Sequence, residues 1–182
     1  MLIGKYRVTK DYFKINTNWE DALNLLYKNS KGSQAKPNVL WFKIKNRKIF
    51  NEIPDLKPFF EKLNKEFNSE YYENCEFYDS WETGICNCKS QWHMDGLVIS
   101  LDSGTVGTHK DVLNAGYIQI LGQSFWRLNG EKKPFTLNPG DVVLISNKIT
   151  HEVWGEGPRM GMLLFTGVGS TVKPKNQSVF EE

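Results

Sequence analysis

The chain contains three histidines, His93, His109 and His151, and the first two each open a His-x-Asp tripeptide. In an extended strand, residues i and i+2 point to the same face. His109 with Asp111, or His93 with Asp95, can therefore aim an imidazole and a carboxylate in one direction. His151 is then available as a second imidazole. Two imidazoles and one carboxylate on one face of an octahedron leave three positions open, the donor set of non-haem Fe(II) oxygenases. A lone histidine is more often a packed or surface residue than a ligand. Here the argument rests on three together.

A second cluster competes for attention. Cys75, Cys86 and Cys88 lie within 19 residues of one another and His93, and three thiolates with an imidazole suit zinc. The spacing, C-x-C with a histidine further on, is not that of a usual zinc knuckle, and free cysteines commonly act as small buried hydrophobes. Three clustered cysteines also do not form a disulfide framework, so a reducing compartment is expected.

The elements that must position the histidines change in texture near residue 70. Before it, Thr17 reads as an N-cap, and Trp19, Ala22, Leu23, Leu26 and Tyr27 recur at helical spacing, so a helix is expected over about 18–29, stopped by Lys31-Gly32-Ser33. VLWFKIK (39–45) reads as a strand. Pro54 to Phe67 carries Leu56, Phe59, Phe60, Leu63 and Phe67 on one helical face. From about Glu76 the chain becomes short apolar runs, LVISL, YIQIL, FWRL, FTL, DVVLI, EVWG and MGMLLF, separated by Gly, Asn and Pro. Short strands without helix-length segments between them predict a mainly β antiparallel jelly roll rather than βαβ units. An immunoglobulin-like sandwich is disfavoured, because the cysteines are clustered rather than placed on facing strands. One domain over 1–182 is expected: a helical and strand cover (1–70), a jelly-roll core (76–170) and a tail (171–182).

LNPGDVVLISNKITHEVWG resembles the second cupin signature, in which Gly, Pro, Gly and the metal His stand at fixed intervals; Gly140, Ser146, Lys148 and His151 hold those places here. SLDSGTVGTHKDVLNAGYIQILGQSFWRL is similar to the core of JmjC-type and ribosomal-oxygenase-like cupins, with His109, Asp111, Tyr117, Gln119, Gly122 and Trp126 at the matching positions. The resemblance spans about 97–167 and favours His109/Asp111 over His93/Asp95, leaving Asp95 as a hydrogen-bond partner for a ligand imidazole. It implies a double-stranded β-helix with N-terminal covering helices, holding Fe(II) through His109, Asp111 and His151, with 2-oxoglutarate as co-substrate. JmjC-like enzymes hold the far carboxylate of 2-oxoglutarate with a basic residue thirteen positions past the Asp, and here that position is Ser124. Other enzymes of the class use an Arg at the start of the last core strand. Arg159 stands there, eight residues after His151, with Gly161 on its face to leave room and its planar fork suited to a carboxylate. Arg127 and Lys148 are weaker substitutes. Tyr117, Ser124 and Asn114 are expected to add hydrogen bonds to the co-substrate.

Composition limits the partners. The 182 residues carry 23 basic and 21 acidic side chains, a net charge of +2, which gathers neither nucleic acid nor anionic lipid. No run of 18 apolar residues occurs and the first residues are too charged for a signal peptide, so a soluble cytoplasmic protein is expected. Six Trp, seven Tyr and 11 Phe suggest a lined pocket, to which Trp81, Trp92, Trp126 and Trp154 are candidates. The expected partners are O2 and a protein side chain or small metabolite. Cupins often pair through edge strands, which makes a homodimer an expectation. The rival readings are a cupin whose metal works without a keto acid, and a non-catalytic small-molecule binder.

Overall fold

The computed structural model describes residues 6–29, 34–36, 39–43, 52–66, 93–101, 103–105, 107–111 and 114–165. Strand β1 (Tyr6–Thr9) precedes helix α1 (Trp19–Asn29), strands β2 (Gln34–Lys36) and β3 (Val39–Lys43), and helix α2 (Leu56–Glu66). Seven strands follow: β4 (His93–Ser100), β5 (Ala115–Leu121), β6 (Ser124–Leu128), β7 (Phe135–Leu137), β8 (Val142–Ile145), β9 (His151–Trp154) and β10 (Arg159–Phe165). They form a seven-stranded sheet, β1-β8-β5-β10-β4-β3-β2, and a three-stranded sheet, β7-β6-β9, antiparallel at every pairing. The protein is mainly β, with the two-sheet antiparallel arrangement expected of a jelly roll.

The side chains alternate along the strands and so build two cores. On β10, Met160, Met162 and Leu164 face the helices, where they join Leu97, Ile99, Ile118 and Leu144 against Leu25, Phe59 and Leu63. Leu163 and Phe165 face the other way and join Tyr117, Val143 and Ile145 of the large sheet to Trp126, Leu128 and Leu137 of the small one. The second core lies between the sheets, and it is the one that adjoins the histidines.

Segment 1–70 is more than a cover, because β1 pairs with β8 at one edge of the large sheet and β3 pairs with β4 towards the other. A four-residue strand such as β1 carries too little periodicity to stand out from sequence. The α1 cap also differs from expectation. Asn18 is the N-cap: its Oδ1 accepts from Glu20 N (2.8 Å) and Asp21 N (3.1 Å), while the Asp21 carboxylate accepts from Asn18 N (2.9 Å), a reciprocal box. Thr17 instead donates its N–H and hydroxyl to Asp55, which also accepts from Asn16, so one carboxylate ties the approach to α1 to the start of α2. The buried face of α1 is Ala22 and Leu25, with Trp19 packed alongside; Leu23 and Tyr27 are exposed. An i, i+3 row meets the sheet rather than the i, i+4 row of larger side chains. On α2, Leu56, Phe59 and Leu63 are fully buried.

The turn before β8 is fixed by its sequence. Gly140 has φ 92°, and a Cβ there would lie 2.4 Å from Phe13 O, so only glycine lets the 11–13 segment pass. Asp141 accepts from Asn138 N (2.8 Å), Asp11 N (2.9 Å) and Lys10 Nζ (2.8 Å), joining the turn to the residues after β1. Burial works to raise its pKa, but these hydrogen bonds and the Lys10 charge outweigh it and hold the carboxyl below its ordinary value. A depressed acid pKa contributes stability that is present above the unfolded value, near 4, and lost as pH falls through the folded one. Asp141→Ala should therefore cost about 1–3 kcal/mol at neutral pH. The gap between the urea midpoints of the two proteins should narrow as pH falls below about 4, and a constant gap would refute the account.

Cys75, Cys86, Cys88, Trp81, Trp92, the 31–33 stop and the 171–182 tail lie outside the described residues. No helix among the described residues is long and apolar enough to cross a membrane.

Candidate metal centre

Backbone pairing brings the ligands together. His109 N–H donates to His151 O (2.9 Å) and His151 N–H to His109 O (2.8 Å), so the two residues sit directly opposite on neighbouring strands with their side chains on one face. Thr105 pairs with Trp154 further along. Four steps on the 105–109 segment thus match three on β9. The extra residue is a bulge, and Gly107, at φ 81°, supplies the left-handed conformation it needs. The bulge also aims a carbonyl: Gly107 O accepts from His109 Nδ1–H at 2.9 Å.

His151 is treated alike, with its Nδ1–H donating to Ile149 O at 3.2 Å. Since a carbonyl only accepts, each Nδ1 carries the proton and each Nε2 keeps its lone pair for a metal. Asp111 completes the group, with Oδ1 3.8 Å from His109 Nε2 and Oδ2 3.5 Å from His151 Nε2. One donor atom from each of the three lies within 4.8 Å of the others. Metal–ligand bonds of about 2.1 Å at right angles place donors roughly 3 Å apart, so small side-chain adjustments accommodate one ion. The electrostatics agree. Burial pushes Asp111 up to about 6, against a smaller lowering by His109. Burial and then the His109 charge lower His151 to about 4, against a smaller raising by its hydrogen bond to Ile149. His151 is thus a neutral imidazole at neutral pH, and Asp111 is a carboxylate that gains from a cation.

The turn ahead of His151 works without the proline and second glycine of the cupin signature. Ser146 O accepts from Ile149 N–H (2.9 Å), Ser146 Oγ accepts from Lys148 N–H (3.3 Å), and Asn147 N–H donates to Asn114 Oδ1 (3.0 Å). A hydroxyl replaces a ring as the turn-fixing device. Asn114, expected to meet a co-substrate, is thus buried and committed to this turn.

Ser124 is likewise committed elsewhere. It is fully buried, donates to Gln119 Oε1 (2.6 Å) and accepts from Trp126 Nε1 (2.9 Å). Tyr117 is buried between the sheets, its ring against Trp126 at 5.3 Å. Arg159 does not point to solvent: it is 4% exposed, and its Nη2 donates to Gly104 O at 2.7 Å. The glycine that makes room for it is Gly155, where a Cβ would lie 2.2 Å from Nη1. Gly161 instead leaves room for the Tyr117 ring, which a Cβ would meet at 2.0 Å. Burial lowers the Arg159 pKa from its high ordinary value, partly offset by Tyr117. Arg127, a weaker candidate, pairs with Glu152 at 3.1 Å and faces away from the core. With Trp154 these two line a depression of about 390 Å³ on the outer face of the small sheet.

His93 and Asp95 lie at the start of β4 in the large sheet, where His93 pairs with Phe165; their side chains lie outside the described residues. Two contributors are not legible in the sequence: the Gly107 bulge, signalled only by a glycine two residues before His109, and the contact of Trp126 with the His151 ring, at 5.9 Å and 21° between planes.

No protein-family model matches the chain, and no curated protein matches it in sequence. Solved structures do match. Two are of the ribosomal oxygenase YcfD of Escherichia coli: one with TM-score 0.56 at 15% identity, the other 0.55 at 17%, each covering 92% of this chain and 49% of that one. Also similar, with TM-score 0.39, is a cupin superfamily protein from Desulfitobacterium hafniense, 15% identical over 53% of this chain and 82% of that one. The chain spans about half the length of the ribosomal oxygenase, and the likeness is one of fold: a mainly β, antiparallel two-sheet arrangement with helices in its N-terminal part.

Proposed function

We propose that the protein is a non-haem Fe(II)- and 2-oxoglutarate-dependent oxygenase that hydroxylates a protein side chain or a small metabolite. The observation that carries this reading is the convergence of His109, Asp111 and His151, two imidazoles with free Nε2 lone pairs and one buried carboxylate. The likeness of fold to a ribosomal oxygenase supports it. Fe(II) with 2-oxoglutarate supplies the activation of O2, with succinate, CO2 and the hydroxylated substrate as products. The chain's part is to hold and orient. His109 and His151 present fixed nitrogens, Asp111 supplies the negative charge, and Tyr117 and Trp126 keep water from the space between the sheets. Arg159 is the proposed partner of the far carboxylate, since it opens the last strand of the large sheet, is buried, and carries a planar fork suited to a carboxylate. O2, a protein or metabolite substrate, a cytoplasmic setting and pairing as a homodimer belong to the same proposal; nucleic acid and membrane do not.

A specific observation favours a second reading, a metal-binding cupin that works without a keto acid: Ser124, at the position where the related family has a basic residue, is committed to internal hydrogen bonds. Anaerobic Fe(II) titration with and without 2-oxoglutarate separates the two. The first reading expects a visible charge-transfer band on adding the keto acid, and in Arg159→Ala a co-substrate affinity at least roughly 30-fold weaker, the equivalent of about 2 kcal/mol for an unpaired buried charge. Fe(II) binding without any band would move the assignment to the second.

A further inference from the structure

The polar chain between the sheets ends on a metal ligand. Gln119 is fully buried and donates Nε2–H to Leu121 O (2.7 Å) and Met160 O (3.3 Å), so its amide is fixed by two backbone carbonyls of the large sheet. Its Oε1 therefore faces one way, towards the hydroxyl of Ser124 (2.6 Å). Ser124 in turn accepts from Trp126 Nε1–H (2.9 Å), two residues along β6 on the same face. Every donor and acceptor in this sequence has one geometry available to it, which a buried network needs to be unique. The indole is thereby locked in rotation. Its ring lies against Tyr117 at 5.3 Å on the large-sheet side, and it stacks on the His151 imidazole at 5.9 Å and 21°.

Among the described residues the His151 ring also meets the Ile149 carbonyl at 3.2 Å, at the long end for such a bond, the Asp111 carboxylate at 3.5 Å and the His109 ring at 4.2 Å and 56°. The hydrogen bond fixes the tautomer, and the flat, immobilised indole adds a surface against which the ring plane is set.

We propose that Gln119, Ser124 and Trp126 act as one positioning unit that sets the ring plane of His151, and so the direction of its Nε2 lone pair towards the metal. The inference rests on the metal reading of the site. It also explains why a serine stands at position 124, since its hydroxyl relays the orientation of the large sheet to a ligand on the small one.

The test uses apoprotein titrated with Co(II), followed by calorimetry for affinity and by visible absorption for ligand geometry, alongside thermal melts without metal. Ser124→Ala should weaken Co(II) about 10-fold, the lower end of the range for residues behind a ligand, and shift the Co(II) absorption. Trp126→Leu, which removes the plane, should do so more strongly, and Trp126→Phe, which keeps a ring without its N–H anchor, less. Ile53→Val, in the core against the helices, should lower the melting temperature and leave both Co(II) readouts unchanged. The proposal is overturned if folded Ser124→Ala and Trp126→Leu match wild type in affinity and spectrum, or if Ile53→Val changes them equally. Should Ser124→Ala not fold, Trp126→Phe decides by its spectrum. A wild type that binds no Co(II) removes the metal reading and this inference together, whereas a binding wild type with indifferent variants removes this inference alone.

Discussion

In His109→Ala, Fe(II) affinity is expected to fall well beyond the roughly 100-fold that loss of a residue behind a ligand costs, and 2-oxoglutarate-driven succinate formation should vanish with it. The ring supplies one of the three donors that converge among the described residues, and the remaining two define an edge of the coordination sphere rather than a face. The fold itself should survive. The His109 side chain is 36% exposed, and its strand is held by the backbone pair to His151, which needs no imidazole. Melting of the metal-free variant should then lie close to wild type. Anaerobic calorimetry with Fe(II), a succinate assay and a thermal melt check the three parts. Full turnover in this variant would sink the assignment.

Asp111→Asn should separate binding from stability. The amide keeps the shape of the carboxylate and loses its charge, so metal binding collapses, yet metal-free protein should become more stable at neutral pH. The sign follows from the direction of the shift. The Asp111 pKa is raised from 3.8 to about 6, chiefly by burial, so the folded state binds that proton more tightly than the unfolded one. Stability therefore falls as pH rises from about 4 to about 6 and stays reduced above. With the Asp111 side chain 14% exposed, the gain on removing the charge at pH 7 is about 3 kcal/mol, or roughly 6–12 °C in melting temperature. Melts with a chelator at pH 4 and pH 8 should show the gain only at the higher pH. Adding metal should reverse the order, since an ion at roughly 1,000 times its Kd stabilises wild type by about 4 kcal/mol and the variant hardly at all. A variant that melts below wild type at pH 8 without metal would refute the argument.

How much of this is legible in the sequence depends on the range of the interaction. His109, Asp111 and His151 can be named because each lies in a strand or turn with its own local signature, and β4 to β10 each announce themselves as apolar runs between Gly, Asn and Pro. What cannot be read is set by distant residues. Asn18 rather than Thr17 caps α1 because Asp55, 38 residues after Thr17, claims the threonine. Leu25 rather than Leu23 is buried because the sheet, not the helix, chooses the face. Sequence assigns Ser124 and Asn114 to a co-substrate on neighbourhood alone, whereas the Ser124–Gln119 bond is fixed only once two sheets are stacked, and the Asn114–Asn147 bond only once β5 has paired with β8. The inward direction of Arg159 is legible, but the glycine that admits it is Gly155 and not Gly161, a distinction that depends on how the β9–β10 connection turns.

The pairing of β1 with β8 sets a timetable. Tyr6 meets Ile145 across 139 positions of chain, so at 5–20 residues per second a ribosome needs roughly 7–28 s to deliver the partner after the first strand has emerged. Until then β1 has no native ladder to join, and afterwards the β8 edge stays open to a strand from another molecule until β1 finds it. Distant pairings of this kind are slow to close. His151 follows β8 by six residues, so the partner of β1 and the last of the three candidate ligands become available almost together, and of those three an ion arriving early meets His109 and Asp111 alone.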